Sequence, residues 1–394
     1  MWRLSFVAGI VLSCVIATGA MAVPEVPADD NVVLERLPEK GNPALTQLKR
    51  MRAALAANPQ QIEIAAPVAR RAIEAARETG DPRFLGQAQA ALAPWWSSND
   101  APEIALVLRA TVKQSQHDFA GALADLDLVL KRNAANGQAR LTRATVLTVQ
   151  GRYEEAKRDC AALVGHALPI VVTACTAAPA SLSGSASAAY ASLAMELSRP
   201  AQDAGLREWA ETLAAEIACR RGARADGEAH FRNALTLDPR DPYLKAAFAD
   251  FLLEEKRSRE VITLLRDDIR NDSLFLRLAL AEQRLPESRG DFDTHRTDLA
   301  ARFEAARMRG DSLHRREEAR FRLEIEHDPA GALTLAEANW AVQREPADLA
   351  ILAAAAHAAG DARAMHVVDD WMATTKLEDL RLAMTIASSG RRAP

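Results

Sequence analysis

Histidine, cysteine and serine supply most of the reactive side chains in a protein, so their spacing is the first thing to weigh. The histidines His117, His166, His230, His295, His314, His327, His357 and His366 are scattered along the chain. Metal ligation needs ligands whose spacing makes them converge. No H-E-x-x-H pair occurs, no two cysteines are spaced C-x-x-C, and His357 and His366 fall on two different predicted helices. No metal is implied. Ser181-Leu182-Ser183-Gly184-Ser185 lacks the first glycine of a nucleophile elbow and sits at a predicted helix–helix turn, not after a strand. A glycine-rich phosphate loop is absent. Glu154-Glu155, Glu254-Glu255 and Glu317-Glu318 lie beside basic residues on predicted helices, where they read as solvated faces. Arg315, Arg316, Arg320 and Arg322 alternate with Glu317, Glu318, Glu324 and Glu326 at three- and four-residue spacings, which supports a helix rather than a phosphate track. The expectation is therefore no catalytic residue and no cofactor. An enzyme would need a site assembled from distant helices.

The elements that would position such residues begin with an address. Residues 1–22 carry one positive charge at Arg3, an apolar run from Leu4 to Ala17 and an Ala20-Met21-Ala22 ending, the pattern of a secretory signal peptide cut before Val23. The competing reading is an uncleaved anchor in the inner membrane, but Ser13, Thr18 and Gly19 weaken Leu4–Met21 as a span, which needs about 20 apolar residues. A lipoprotein signal is disfavoured by Leu12, two places before Cys14. Cleavage leaves Cys160, Cys175 and Cys219. An oxidising compartment permits a disulfide, and Cys160 with Cys175, across a predicted helix–helix junction, is the candidate pair; three buried thiols are the alternative. The expected location is periplasmic or secreted.

The chain has 394 residues, 49% apolar but only 5% aromatic, with 49 basic and 53 acidic residues and a net charge of −4. Its apolar mass is alanine, leucine and valine. The near-balance of charge excludes a polyelectrolyte and argues against a nucleic-acid binder, which would show a basic excess. Eighteen Gly and eighteen Pro are too few for many short strands and turns. Helices are expected throughout.

A 34-residue period orders them. Ala110 and Ala144, Phe119 and Tyr153, and Ala122 and Ala156 are each separated by 34 positions, as are Phe231 and Leu265. Asp238-Pro239 and Asp328-Pro329 stop one helix and admit the next. Period, small residues, aromatic and proline positions together resemble the tetratricopeptide repeat, a helix–turn–helix unit. Fits are best at 103–170 and 208–275, with degenerate copies near 62–99, 171–203, 276–313, 314–347 and 348–375. The sequence departs from the pattern where Leu106, Arg140 and Glu211 replace an early aromatic, and where Ala134 replaces a proline. The resemblance implies an all-α superhelical solenoid over 43–390, preceded by an extended arm at 23–42 and followed by a frayed tail at 391–394. An insertion is expected in 198–203, a polar inter-helix loop at 285–292 and a closing helix within 376–390.

Such stacks bind partners along their concave face. One subclass of the family clamps C-terminal carboxylates with cations on the first helix of each pair. Here the corresponding positions read Val107, Thr111, Gln114 and Ser115, then Leu141, Thr145, Thr148 and Val149, with no cation. A neutral, hydroxyl-rich groove is expected in their place, with Thr111, Gln114, Thr145 and Thr148 as contacts. Trp209 and Tyr243, again 34 apart, would form an aromatic ledge or pack against the preceding helix. Trp95-Trp96 would seal the first unit against the second, or leave one of the two indoles exposed. The functional expectation is an exported, non-catalytic scaffold for a protein or peptide partner. An accessory subunit of polysaccharide export or cell-wall assembly is the alternative.

Overall fold

A computed structural model describes residues 43–200, 203–310, 314–380 and 382–383. The leader at 1–22, the arm at 23–42 and the tail at 391–394 lie outside them, as does most of the expected closing helix. Among the described residues the chain is helical, with no strand. A single helix α1 (Pro43–Ala57) precedes nine antiparallel pairs: α2 (Ile62–Thr79) with α3 (Arg83–Ala91), α4 (Glu103–Ser115) with α5 (Phe119–Arg132), α6 (Gly137–Val149) with α7 (Tyr153–Ala161), and α8 (Pro169–Ser181) with α9 (Ala186–Leu197). There follow α10 (Ala204–Arg220) with α11 (Arg224–Leu237), α12 (Pro242–Glu254) with α13 (Ser258–Leu265), α14 (Asp272–Gln283) with α15 (Arg289–Met308), α16 (Arg315–Glu324) with α17 (Pro329–Trp340), and α18 (Pro346–Ala359) with α19 (Ala362–Thr375).

Local chemistry explains the punctuation. Asp118, Asn136, Asp241 and Asp328 each accept the backbone N–H three residues on, from Gly121, Ala139, Leu244 and Gly331, which satisfies donors that a helix start leaves over. Proline opens α8, α12, α17 and α18, where its missing N–H costs nothing. The turn inside eight of the nine pairs contains one left-handed residue: Gly80, His117, Gly151, Gly184, Gly222, Lys256, His327 or Gly360. His117 and Gly151 occupy aligned positions, so the same bend is built with and without glycine. The pair α14/α15 is joined instead by a short 3-10 turn at Pro286–Ser288. The polar loop expected at 285–292 is thus shorter than the sequence suggests. Helix α15 begins at Arg289, and Phe292 is buried in it.

Packing follows the small residues. Ala110, Ala122, Ala144 and Ala156 are all at most 2% exposed, and Phe119 and Tyr153 are buried beside their turns. Each pair packs on the next, because two short amphipathic helices cannot bury their own apolar faces. Trp95 and Trp96 are half-buried against the first core cluster, as a seal requires. Their carbonyls are held by Arg109, whose Nη1 donates to Trp95 O at 2.6 Å, Trp96 O at 2.7 Å and Ser98 O at 3.0 Å. Arg109 also forms a two-pronged buried pair with Asp125, which receives Lys113 as well. One guanidinium therefore ties the first inter-pair loop to α4 and α5.

The stack also returns on itself. Helix α2 touches α12, Gly80 lies against the Asn271 side chain, and the Arg344 N–H donates to Val149 O at 2.7 Å. Helices α7 and α8 are joined by a disulfide between Cys160 and Cys175, with Cα atoms 5.5 Å apart.

Two stability outcomes follow. Asp125→Ala strands a buried guanidinium and should lower the unfolding free energy by about 3–5 kcal/mol in urea titration; a loss near zero would show that the three carbonyls suffice. Replacing Cys160 and Cys175 together by serine should cost roughly 3 kcal/mol. Peptide mapping under non-reducing conditions checks the linkage directly, and an unlinked Cys160 would refute it.

Candidate functional site

Helices α6, α8, α10, α12, α14, α16 and α18, the first members of seven consecutive pairs, converge on one cavity of about 630 Å³. Such volumes suit a small ligand or a short peptide segment. Its apolar wall includes Leu182, Leu213, Ala246, Ala247, Ala350 and Ala354. The alanines create the space, since a larger side chain at any of them would occupy it.

The polar wall carries charge from five helices. Asp250 of α12 accepts Arg277 Nη2 of α14 and Arg320 Nη1 of α16, both at 2.6 Å. Burial pushes the Asp250 carboxyl up, but the two guanidiniums outweigh burial and hold it well below the usual carboxylate range. Arg316 reaches Glu345 at 3.1 Å, Asp348 at 3.3 Å and Glu317 at 3.4 Å. Fully buried Asp348 also accepts Asn339 Nδ2 at 2.8 Å, Gln343 Nε2 at 3.1 Å and the Glu345 N–H at 2.9 Å. Glu345 is pushed up to about 7 by burial, then by Asp348 and Glu216, against the pull of Arg316. Tyr243 stands in the cavity with 58% of its surface exposed, donating its hydroxyl to Glu216 Oε1 at 2.7 Å.

Of the residues expected in the groove, Thr148 and Tyr243 line this cavity; Thr111, Gln114, Thr145 and Trp209 are not among its lining residues. The hydroxyls of Thr111, Thr145 and Thr148 donate to Val107 O, Leu141 O and Ala144 O of their own helices, at 2.9, 3.0 and 2.8 Å. The cavity is charged rather than neutral, and the hydroxyls of Thr111, Thr145 and Thr148 are bonded to their own backbone. Nor do Trp209 and Tyr243 form a ledge. Trp209 is half-buried against the α8–α10 core, the packing alternative. Sequence reasoning missed Asp250, Arg277, Arg316, Arg320 and Glu345. Their signal was present in Arg316 and Arg320, which alternating charge assigned to intrahelical pairing. The Arg320–Glu324 pair at 2.8 Å does form, but the same guanidinium also crosses to α12. Among the described residues no group of His, Cys, Asp and Glu could hold a metal ion, and no helix is long and apolar enough to cross a membrane.

No family model matches the chain. No curated protein sequence matches it either. Among solved structures it is similar to a tetratricopeptide repeat protein from Parabacteroides merdae ATCC 43184, at 13% identity over 78% of this chain and 98% of that one, with a TM-score of 0.36. It is also similar to the TPR domain of P58(IPK), at 16% identity over 89% of this chain and 98% of that one, with a TM-score of 0.26.

Three carboxyls raised by burial, Glu345, Glu208 and Glu282, make stability depend on pH with a definite sign. Glu345 holds its proton to about 7, and so does Glu208, through burial and through Asp241 and Asp238. Unfolded, both ionise near 4.5. Between those values the folded chain binds more protons, so their contribution declines as pH rises toward 7. His117, lowered by burial and by Arg316, works in the opposite direction near its ordinary 6.5. Glu228, held at about 2 by Arg257 and Arg232, titrates below the window. Glu345→Gln and Glu208→Gln should each flatten the decline in unfolding free energy between pH 4.5 and 7. A profile unchanged by both substitutions would disprove the assignment.

Proposed function

We propose that this chain is an exported, non-catalytic scaffold that binds a short peptide segment of a protein partner inside its helix-lined cavity. The observation that carries this reading is the convergence of seven first-position helices on one cavity with an apolar alanine wall and an exposed aromatic ring. A superhelix of repeats characteristically recognises partners on the surface its first helices line. Tyrosine supplies large contact area for few rotatable bonds, which suits it to an energetic hot spot. The paired charges opposite it offer backbone amides and carbonyls of an extended segment both donors and acceptors. Export rests on the pattern at residues 1–22, and the bacterial cell envelope is the compartment that pattern and the composition suggest. The cavity's carboxylates are engaged by guanidiniums or by a phenol, which suits them to binding.

Selection of peptides from a displayed library on the mature chain, followed by calorimetry, tests the binding. Tyr243→Ala should weaken the selected peptides roughly thirtyfold, the loss of about 2 kcal/mol that defines a hot spot. Unchanged affinity would move the site elsewhere. Binding on a glycan array in place of peptides would favour the polysaccharide-assembly reading. A reporter fused after Ala22 tests export, and its retention in the cytoplasm would remove that element.

A further inference from the structure

Three turns inside helix pairs lie under side chains from the far end of the chain. A Cβ at Gly151 would collide with the Trp371 ring. At Gly184 it would stand 3.1 Å from Lys376 Cβ, and at Gly222 2.6 Å from Leu380 Cδ1. The Ala186 N–H donates to Glu378 Oε1 at 3.3 Å across 192 residues of sequence. Leu377 and Leu382 are buried in one cluster with Leu182 and Tyr153. Pairs stacked on their neighbours recur about every 34 residues, so none of these contacts belongs to ordinary stacking. They join pairs several units apart.

The composition of that cluster says what happens if the contacts part. Apart from Tyr153 and Leu182, its buried members lie at Ala319 or beyond, among them Ala336, Trp340, Leu349, Leu352 and Val368. Helices α16 to α19 therefore hold together on their own apolar surface. What binds them to the earlier pairs is narrower: the Trp371 indole, the Lys376 stem, Leu377, Leu380 and Leu382, Val342 against the first core cluster, and two backbone N–H donors.

We propose that α19 and the residues after it, Lys376–Leu380 and Leu382, are an intramolecular clasp that holds the superhelix closed around its cavity. Released, it lets α16–α19 swing about their junction with α14 and α15, where Phe321 and Ile325 pack, with Arg320 giving up Asp250 of α12, and exposes the groove to a longer chain than 630 Å³ admits. Closure itself stands on the contacts above; the consequence for a ligand rests on the peptide-binding reading.

Leu382→Asp in the full-length mature chain places a carboxylate where the clasp meets Leu182 and Tyr153. Circular dichroism should show unchanged helix content, while small-angle scattering shows a larger radius of gyration. Cys219, a buried thiol at the cavity wall, should alkylate with N-ethylmaleimide roughly tenfold faster, since access to a buried group follows local opening. A bridge between Gly184→Cys and Lys376→Cys, oxidised in the same background, should restore the small radius and the slow alkylation. A folded Leu382→Asp chain with native radius and native alkylation rate overturns the clasp. Should Leu382→Asp not fold, the bridge in an otherwise native chain decides: equal Cys219 rates with the bridge oxidised and reduced also overturn it. Normal responses of radius and thiol without binding of any selected peptide would instead sink the peptide reading and leave the clasp intact.

Discussion

How closely the first helices of successive pairs approach one another governs everything downstream in this molecule. The cavity-facing positions of α12 and α18 include alanine at 246, 247, 347, 350 and 354, which leaves space between these first helices that leucine would fill. The stack curves so that Arg344, in the turn before α18, returns to Val149 at the end of α6. An enlarged side chain at one of these alanines would fill the space the curve encloses.

Charge then fixes what curvature permits. Hydrophobic contact is non-directional, so alanine faces alone would tolerate sliding of one helix along another. The Asp250 carboxylate accepts one guanidinium from α14 and another from α16, each at 2.6 Å, and this sets the relative height of three helices at once. Buried ion pairs contribute little net stability compared with apolar packing, yet breaking one partner is costly. Their value here is in register. Asp348 plays the same part at the other wall, where its two oxygens serve Arg316, Asn339, Gln343 and the Glu345 backbone. That carboxylate is both helix cap and hub.

The helix pairs were legible because their cause is local. Ala110 and Ala144 meet the same neighbours one unit apart, so period 34 exposes them; the candidate pairing of Cys160 and Cys175 likewise spans a single junction. Turn residues were half legible: Gly151 and Gly222 advertise the left-handed bend, whereas His117, Lys256 and His327 adopt it without the signal. The cavity was not legible. Its defining contacts link Asp250 to Arg320, 70 residues apart, and no repeat alignment places such residues together; the same holds for the Ala186–Glu378 contact of the C-terminal segment, 192 residues apart. Even within the repeat, equal spacing misleads. Helix α10 carries an extra first turn from Ala204, while α12 begins at Pro242, so Trp209 packs within a helix body and Tyr243 stands at an open helix start. The threonine hydroxyls at 111, 145 and 148 are satisfied by the carbonyls four residues earlier, a local bond that sequence position alone does not reveal.

On the proposed clasp and peptide-binding readings, closure and recognition would be coupled by thermodynamics whichever comes first in time. A ligand moves a conformational equilibrium only by its difference in affinity for the two states. A segment short enough to lie wholly within the closed cavity gains contacts with α18 that exist only when the superhelix is shut, so it favours the closed form and tightens the clasp. A longer chain cannot be enclosed, and its extra contacts with the first helices of early pairs are available only after α16–α19 have moved away. Length alone would therefore reverse the sign of the coupling. The same side chain, Tyr243, can serve both modes because its hydroxyl is anchored on α10 through Glu216 and not on the part that moves. The partner's contacts with α10 and α12 would persist through opening, while those with α18 would be exchanged for others. Such an arrangement lets one surface hold its partner while the enclosure around it changes.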